Sequence, residues 1–136
     1  MDLKKLIEEL KRDEGVRYKP YHCSADKLTI GVGRNLDDVG ITEEESDYLL
    51  SNDINNCVKE LNRTFFWFEK LTDIRKRVLV NMCFNLGLSR LLNFKNFLKA
   101  VKASDYESAG NEMLDSKWAK QVGDRAIRLK NMMIEG

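Results

Sequence analysis

The chain has 136 residues, 43% hydrophobic and 33% charged, which suits one compact globular domain and excludes a disordered tail or a fibre. Lys and Arg number 23 against 22 Asp and Glu, a net charge of +1, so the chain lacks the global basic field that holds nucleic acid. The longest charge-free stretch, residues 78–89, falls short of the ~20 apolar residues of a membrane helix and reads as a buried core helix.

Leu3, Leu6, Ile7 and Leu10 recur at helical spacing and predict an amphipathic helix over 2–12 that stops near Gly15, with Glu14 at its C-terminal edge. Its mixture of charge and leucine reads as a helix and not as a signal peptide. Beyond residue 16 the period changes. Tyr18 and Tyr21 flank Pro20, and Leu28-Thr29-Ile30-Gly31-Val32-Gly33 is β-branched and glycine-punctuated, which predicts two or three short strands joined by tight turns. Gly31 and Gly33 weaken a strand and suit a close backbone approach or a bend.

Thr42-Glu43-Glu44-Glu45 is a capping box that opens a long helix over 42–63, with an apolar face from Ile41 to Leu61. Residues 74–86 are apolar on nearly every side, as in a helix at the centre of a bundle, and Gly87 ends them. Leu91, Leu92, Phe94, Phe97, Leu98 and Val101 predict a further helical unit. Ser104 with Glu107 predicts a second capping box, for a helix that continues through Met113, Leu114 and Trp118; a last helix covers 125–133. The expected class is therefore α+β: a single two-lobed domain over 1–136, mostly helical, with a small antiparallel β-sheet in the N-terminal lobe. Its β-containing lobe spans 13–41, its connecting helix 42–63 and its helical lobe 64–136 together with helix 2–12.

Cys23, Cys57 and Cys83 make an odd number at wide spacing beside a single histidine, which supports neither a disulfide framework nor a zinc site and points to folding in a reducing cytosol. Charge is uneven along the chain. Acids dominate residues 35–60, whereas between 117 and 130 Lys117, Lys120, Arg125, Arg128 and Lys130 stand against Asp124 alone, so that a basic face there would favour an anionic partner.

Glu14 is followed nine residues later by Cys23 and six further on by Thr29. Around them, Asp13-Glu14-Gly15-Val16-Arg17-Tyr18-Lys19, then Tyr21, then Leu28-Thr29-Ile30-Gly31-Val32-Gly33 resembles the D-E-G-x-R-x-K-x-Y…T-I-G-x-G signature of phage-type lysozymes, glycoside hydrolase family 24, which includes the lysozymes of T-even phages. Thr42-x-x-Glu45, the stretch from Asn81 to Gly87, Ser116-Lys117-Trp118 and Arg125-Ala126 fall in the same order, so the resemblance covers essentially the whole chain.

The resemblance implies an endolysin that hydrolyses the β-1,4 bond between N-acetylmuramic acid and N-acetylglucosamine of bacterial peptidoglycan, in a cleft between the lobes. It assigns Glu14 the role of general acid. A carboxyl at a helix C-terminus faces the negative end of the dipole, and burial would add desolvation; both favour the protonated form that a glycosidic leaving oxygen requires. Cys23 stands where the pattern most often carries an aspartate that activates water, and as a thiolate it would deprotonate water or attack the anomeric carbon directly. Thr29 supplies a hydroxyl to hold the water.

Asp26 is a possible substitute carboxylate, though it reads more simply as a turn residue. Phe84 and Asn85 match a cleft-lining stretch, and Arg125 resembles the family arginine that pairs with the neighbourhood of the catalytic glutamate and ties the last helices to the site. The resemblance further implies no metal, no cofactor and no nucleic-acid partner. The enzyme would be a monomer held in the host cytoplasm, reliant on a separate membrane-permeabilising protein to reach the wall. Two competing readings follow from the residues. A lysozyme-fold module could bind glycan without cleaving it, and His22 beside Cys23 could serve a cysteine peptidase, although neighbours on a strand point to opposite faces.

Overall fold

The computed structural model describes residues 1–136. Eight α-helices and a three-stranded sheet follow in the order α1 (Leu3–Glu14), β1 (Arg17–His22), β2 (Leu28–Gly31), β3 (Arg34–Asn35), α2 (Glu43–Thr64), α3 (Asp73–Leu86), α4 (Leu88–Leu91), α5 (Lys95–Lys102), α6 (Tyr106–Leu114), α7 (Lys117–Val122) and α8 (Asp124–Glu135), with a 3-10 turn at Phe68–Lys70. The expected α+β class is what is found. The chain divides into two compact units, Met1–Leu49 and Leu50–Gly136.

In the first unit, α1 starts where the Asp2 carboxylate accepts the Lys5 N–H at 3.0 Å and stops at Gly15, whose φ of 76° leaves the helical region. The helix runs through Glu14, two residues beyond the expected end. The sheet is antiparallel in the order β1-β2-β3. Pro20, which has no N–H to donate, is tolerated because β1 is an edge strand, and the register of β1 on β2 is broken between Arg17 and Tyr21. The first unit buries one side chain, that of Thr29, which is 3% exposed.

The Thr42 capping box forms as expected: the Glu45 N–H donates to the Thr42 hydroxyl at 3.1 Å, and the Thr42 N–H donates to Glu45 Oε1 at 2.9 Å. Arg34 grips the same carboxylate with both guanidinium nitrogens, at 2.9 and 2.8 Å, and donates to the Gly40 carbonyl at 3.0 Å. The Arg34 hydrogen bond, followed by that from the Thr42 N–H, holds the Glu45 carboxyl at about 2, below its ordinary 4.5. A carboxyl depressed by folding stabilises the fold above the unfolded value and loses that contribution as pH falls toward the folded one. Melting temperature is therefore expected to fall between pH 4.5 and 2 more steeply in the wild type than in Glu45→Gln, measured by circular dichroism. Both side chains are over a third exposed, so the difference amounts to a few degrees.

The second unit holds every buried apolar side chain, from Cys57 to Met133. Leu61, Leu79, Met82, Met113 and Met133 are fully enclosed, each contributing roughly 1.5–3 kcal/mol by removal from water. As expected, α3 runs through their centre and ends at Gly87, with φ of 80°. The stretch from Leu91 to Val101 is two helices and not one. Phe94 leaves the helical region between them, and its ring packs edge-on against both Phe97 and Trp118.

The capping box expected at Ser104 and Glu107 does not form. Ser104, at φ 59°, closes α5 instead, with its N–H on the Val101 carbonyl and the Asp105 N–H on the Ala100 carbonyl. Asp105 then caps α6 by accepting the Ser108 N–H at 3.2 Å. Nor does α6 continue to Trp118. Ser116 donates to the Met113 carbonyl at 2.7 Å and accepts the Ala119 N–H at 3.1 Å, which ends one helix and starts the next.

Candidate active site

Three of the expected site residues lie in the first unit. The β1–β2 hairpin turns through Ser24 and Ala25 to Asp26, which sits in the left-handed region at φ 58° and donates its N–H to the Cys23 carbonyl at 2.8 Å. An aspartate tolerates that conformation. This tight turn folds the chain back so that the main chain of Lys27 lies against Cys23. The Lys27 carbonyl accepts the Cys23 N–H at 3.0 Å and the Thr29 hydroxyl at 2.8 Å.

Cys23 is half-buried. Hydrogen bonds from the Lys27 N–H, then the Ala25 N–H and the Thr29 hydroxyl, lower the pKa of its thiol below the ordinary value, against a smaller opposing effect of burial. The Thr29 hydroxyl carries a single proton. It rests on the Lys27 carbonyl, with the Cys23 sulfur within its reach. The other two thiols differ sharply: burial raises that of Cys57 and pushes that of Cys83 up to about 12.

Glu14 is held at the far end of β2. Arg17 pairs with Gly31, which brings the exit of α1 alongside the turn that follows β2. There the Glu14 side chain packs onto the bare backbone of Gly33: a Cβ at Gly33 would lie 2.8 Å from Glu14 Oε2 and 3.2 Å from its carboxyl carbon. The close backbone approach expected of the G-x-G segment thus falls on Gly33. Glu14 is exposed, so the burial expected around its carboxyl is not provided.

Asp26 is a turn residue, 93% exposed, with its carboxylate 3.4 Å from His22 Nδ1. His22 is not among the groups bonded to the Cys23 sulfur, which leaves a cysteine–histidine dyad unassembled. No three His, Cys, Asp or Glu side chains converge as a metal site requires.

The other three expected residues lie in the second unit. Phe84, 45% exposed, borders a largely apolar hollow of about 880 Å³ together with Leu50, Ile54, Val80 and Arg125. The Arg125 guanidinium donates to Asn81 Oδ1 at 2.9 and 2.7 Å and so ties α8 to α3. Asn85 is turned to a structural task, accepting the Trp118 indole N–H at 2.8 Å. Reasoning from sequence missed Asp37, which it grouped with an acidic run, although its carboxylate accepts the Leu28 N–H at 2.7 Å.

A family model described as phage lysozyme matches residues 11–132, a span that contains Glu14, Cys23, Thr29 and Arg125. The chain belongs to the phage lysozyme family. Its function is accordingly of the lysozyme type, that of a glycosidase. Among curated relatives, a probable T4-type lysozyme 1 of Dictyostelium discoideum is 29% identical and the match covers 93% of this chain and 92% of that protein. An endolysin of Acyrthosiphon pisum secondary endosymbiont phage 1 is 32% identical over 82% of this chain and 75% of the endolysin. The pre-baseplate central spike protein Gp5 of Enterobacteria phage T4 is 26% identical, and the match spans 28% of its length.

Proposed function

We propose that this phage lysozyme family member is an endolysin acting as an N-acetylmuramidase on the β-1,4 bond between N-acetylmuramic acid and N-acetylglucosamine of peptidoglycan. The observation that carries this reading is the pairing of Cys23 with Thr29 on the Lys27 main chain, in the same unit as a glutamate seated on Gly33. Glu14 protonates the departing glycosidic oxygen as the bond to the anomeric carbon breaks. A water molecule attacks that carbon from the opposite face, the Cys23 thiolate takes its proton, and the Thr29 hydroxyl orients it.

The thiolate favoured by the Lys27, Ala25 and Thr29 donors serves as the base. In this reading the sulfur takes the proton of a water that the Thr29 hydroxyl holds beside it and does not itself bond to the anomeric carbon. The product is thus expected with inverted anomeric configuration, read by proton NMR during hydrolysis. Phe84 and Arg125 border a hollow that would take part of the glycan, and the basic residues near the C-terminus would favour its anionic wall. No helix is long and apolar enough to cross a membrane. In this reading a separate membrane-permeabilising protein admits the enzyme from the host cytoplasm to the wall, where cleavage lyses the cell.

The test is release of reducing ends from purified peptidoglycan by the reduced protein, with Glu14→Gln in parallel. Wild type is expected to release muramic-acid reducing ends, and the variant to be slower by about 10²–10⁴-fold, the usual contribution of a positioned general acid. Binding to the wall with no release by either protein would identify a glycan-binding module instead.

A further inference from the structure

In an antiparallel sheet the N–H and C=O of one residue point toward the same neighbouring strand. Leu28, at the start of β2, directs both toward the chain that follows β3, and its carbonyl accepts the Leu36 N–H at 2.7 Å. β3 is two residues long, paired as Thr29 with Asn35 and Ile30 with Arg34, so the strand ends before it can offer a carbonyl to the Leu28 N–H. The Asp37 carboxylate takes that place at 2.7 Å, the short distance of a charge-assisted bond.

The Leu28 N–H and the Lys27 carbonyl are the two ends of one planar peptide group. Orienting the N–H end with Asp37 orients the carbonyl end, and that carbonyl receives both the Cys23 N–H and the Thr29 hydroxyl. An anion on the N–H also polarises the carbonyl and strengthens what it accepts. The turn carrying Asp37 is itself braced: Asn35 and Asp38 exchange hydrogen bonds at 2.9 and 3.0 Å.

We propose that Asp37 is a positioning residue for the Cys23–Thr29 pair, acting through the Lys27–Leu28 peptide group. The proposal rests on the reading of Cys23 and Thr29 as the water-activating pair. Asp37 touches neither side chain; it sets where the peptide between them points.

The test uses the full chain as Asp37→Ala and Asp37→Asn, and Asp38→Asn as a control for the exposed Lys27–Asp38 ion pair at 3.4 Å. Two quantities are read: the pH midpoint of Cys23 alkylation by iodoacetamide, and kcat and KM on peptidoglycan. The charged groups around the hairpin, His22, Asp26, Lys27 and Asp38, are unchanged in both Asp37 variants. Removing an anion would by charge alone lower the thiol midpoint. Loosening the Lys27 carbonyl, which closes the Cys23–Lys27 turn by accepting the Cys23 N–H, lets the Lys27 N–H on the preceding peptide draw away from the sulfur and raises it, so the sign separates the two effects. Asp37→Ala is expected to raise the midpoint and to lower kcat about tenfold with KM within about twofold, as loss of an interaction that acts on the transition state should.

Asp37→Asn keeps an acceptor oxygen without the charge and is expected to fall between Asp37→Ala and wild type. An unchanged or lowered midpoint with unchanged kcat in both variants overturns the proposal. If Asp37→Ala fails to fold by circular dichroism, Asp37→Asn decides by the same criteria. Should Cys23→Ala retain cleavage, the catalytic reading fails and the alkylation midpoint alone decides whether Asp37 positions the thiol. Should Cys23→Ala be inactive while the Asp37 variants match wild type, only the role of Asp37 is lost.

Discussion

Gly33→Ala is expected to lower kcat by about a hundredfold or more while the protein stays folded and KM holds within a small factor. Two costs are added at this position. The first is backbone strain, since φ is +66° and an L side chain there costs about 1–2 kcal/mol. The second is contact, since the new methyl would lie 2.8 Å from Glu14 Oε2. That oxygen is the far end of a flexible side chain, so the glutamate yields and the fold survives. What is lost is the placement of the carboxyl, and a displacement near 1 Å of a reacting group costs about a hundredfold.

Gly31→Ala separates the two costs, because Gly31 has φ +68° with no atom within 4 Å of an added Cβ. It is expected to lower the melting temperature to a similar extent and to keep most of kcat. Equal loss of kcat in the two variants would mean that strain in the sheet, and not the seat of Glu14, is what the activity depends on.

At neutral pH, iodoacetamide is expected to modify Cys23 alone and to stop cleavage in step with modification. The reactive species is the thiolate, and only at Cys23 do hydrogen bonds outweigh burial in its favour. Burial holds Cys57 and Cys83 as neutral thiols, the latter up to about 12, so both react only after denaturation. Peptide mass spectrometry against time, with activity measured on the same samples, gives the correlation. Cys23→Ala is expected to lose about 10²–10⁴-fold in rate, the range for a positioned general base.

Cys23→Asp is expected to regain much of that rate, since an aspartate is the residue the resemblance leads one to expect there. The pH profiles separate the two active forms. A base must be unprotonated, so the rate rises with pH through its pKa. In the wild type that limb belongs to a thiol below its ordinary value. In Cys23→Asp it moves to the carboxylate range near 4. Full activity in Cys23→Ala would show that neither proton transfer nor attack by sulfur is part of the reaction.

Much of this was legible in the residues because the interactions that specify it are local. The stop at Gly15, the Thr42–Glu45 box, the course of α3 up to Gly87 and the hairpin between Tyr21 and Thr29 each depend on residues a few positions apart. The order of Glu14, Cys23 and Thr29 could be read for the same reason. The errors came where two local signals compete. Ser104 followed by Glu107 looks like a helix start, but Ser104 closes α5 and the adjacent Asp105 takes the cap. Ser116 likewise breaks a helix that the apolar positions Met113 and Trp118 appeared to carry through.

By itself, then, the sequence determined the class of fold, the ends of α1, α2, α3 and α8 to within two residues, the family and the residue types at the proposed site, because periodicity, caps and motif spacing are properties of neighbours along the chain. Only the tertiary structure decided that Gly33 is the surface on which Glu14 rests, that Arg125 binds Asn81, that Asn85 is occupied by Trp118, and that Asp37 reaches back to Leu28. Each of these is a contact between segments whose meeting depends on where strands end and helices pack. A carboxylate in an acidic run and a carboxylate that completes a strand are the same residue type, and only the position of the N–H it accepts tells them apart.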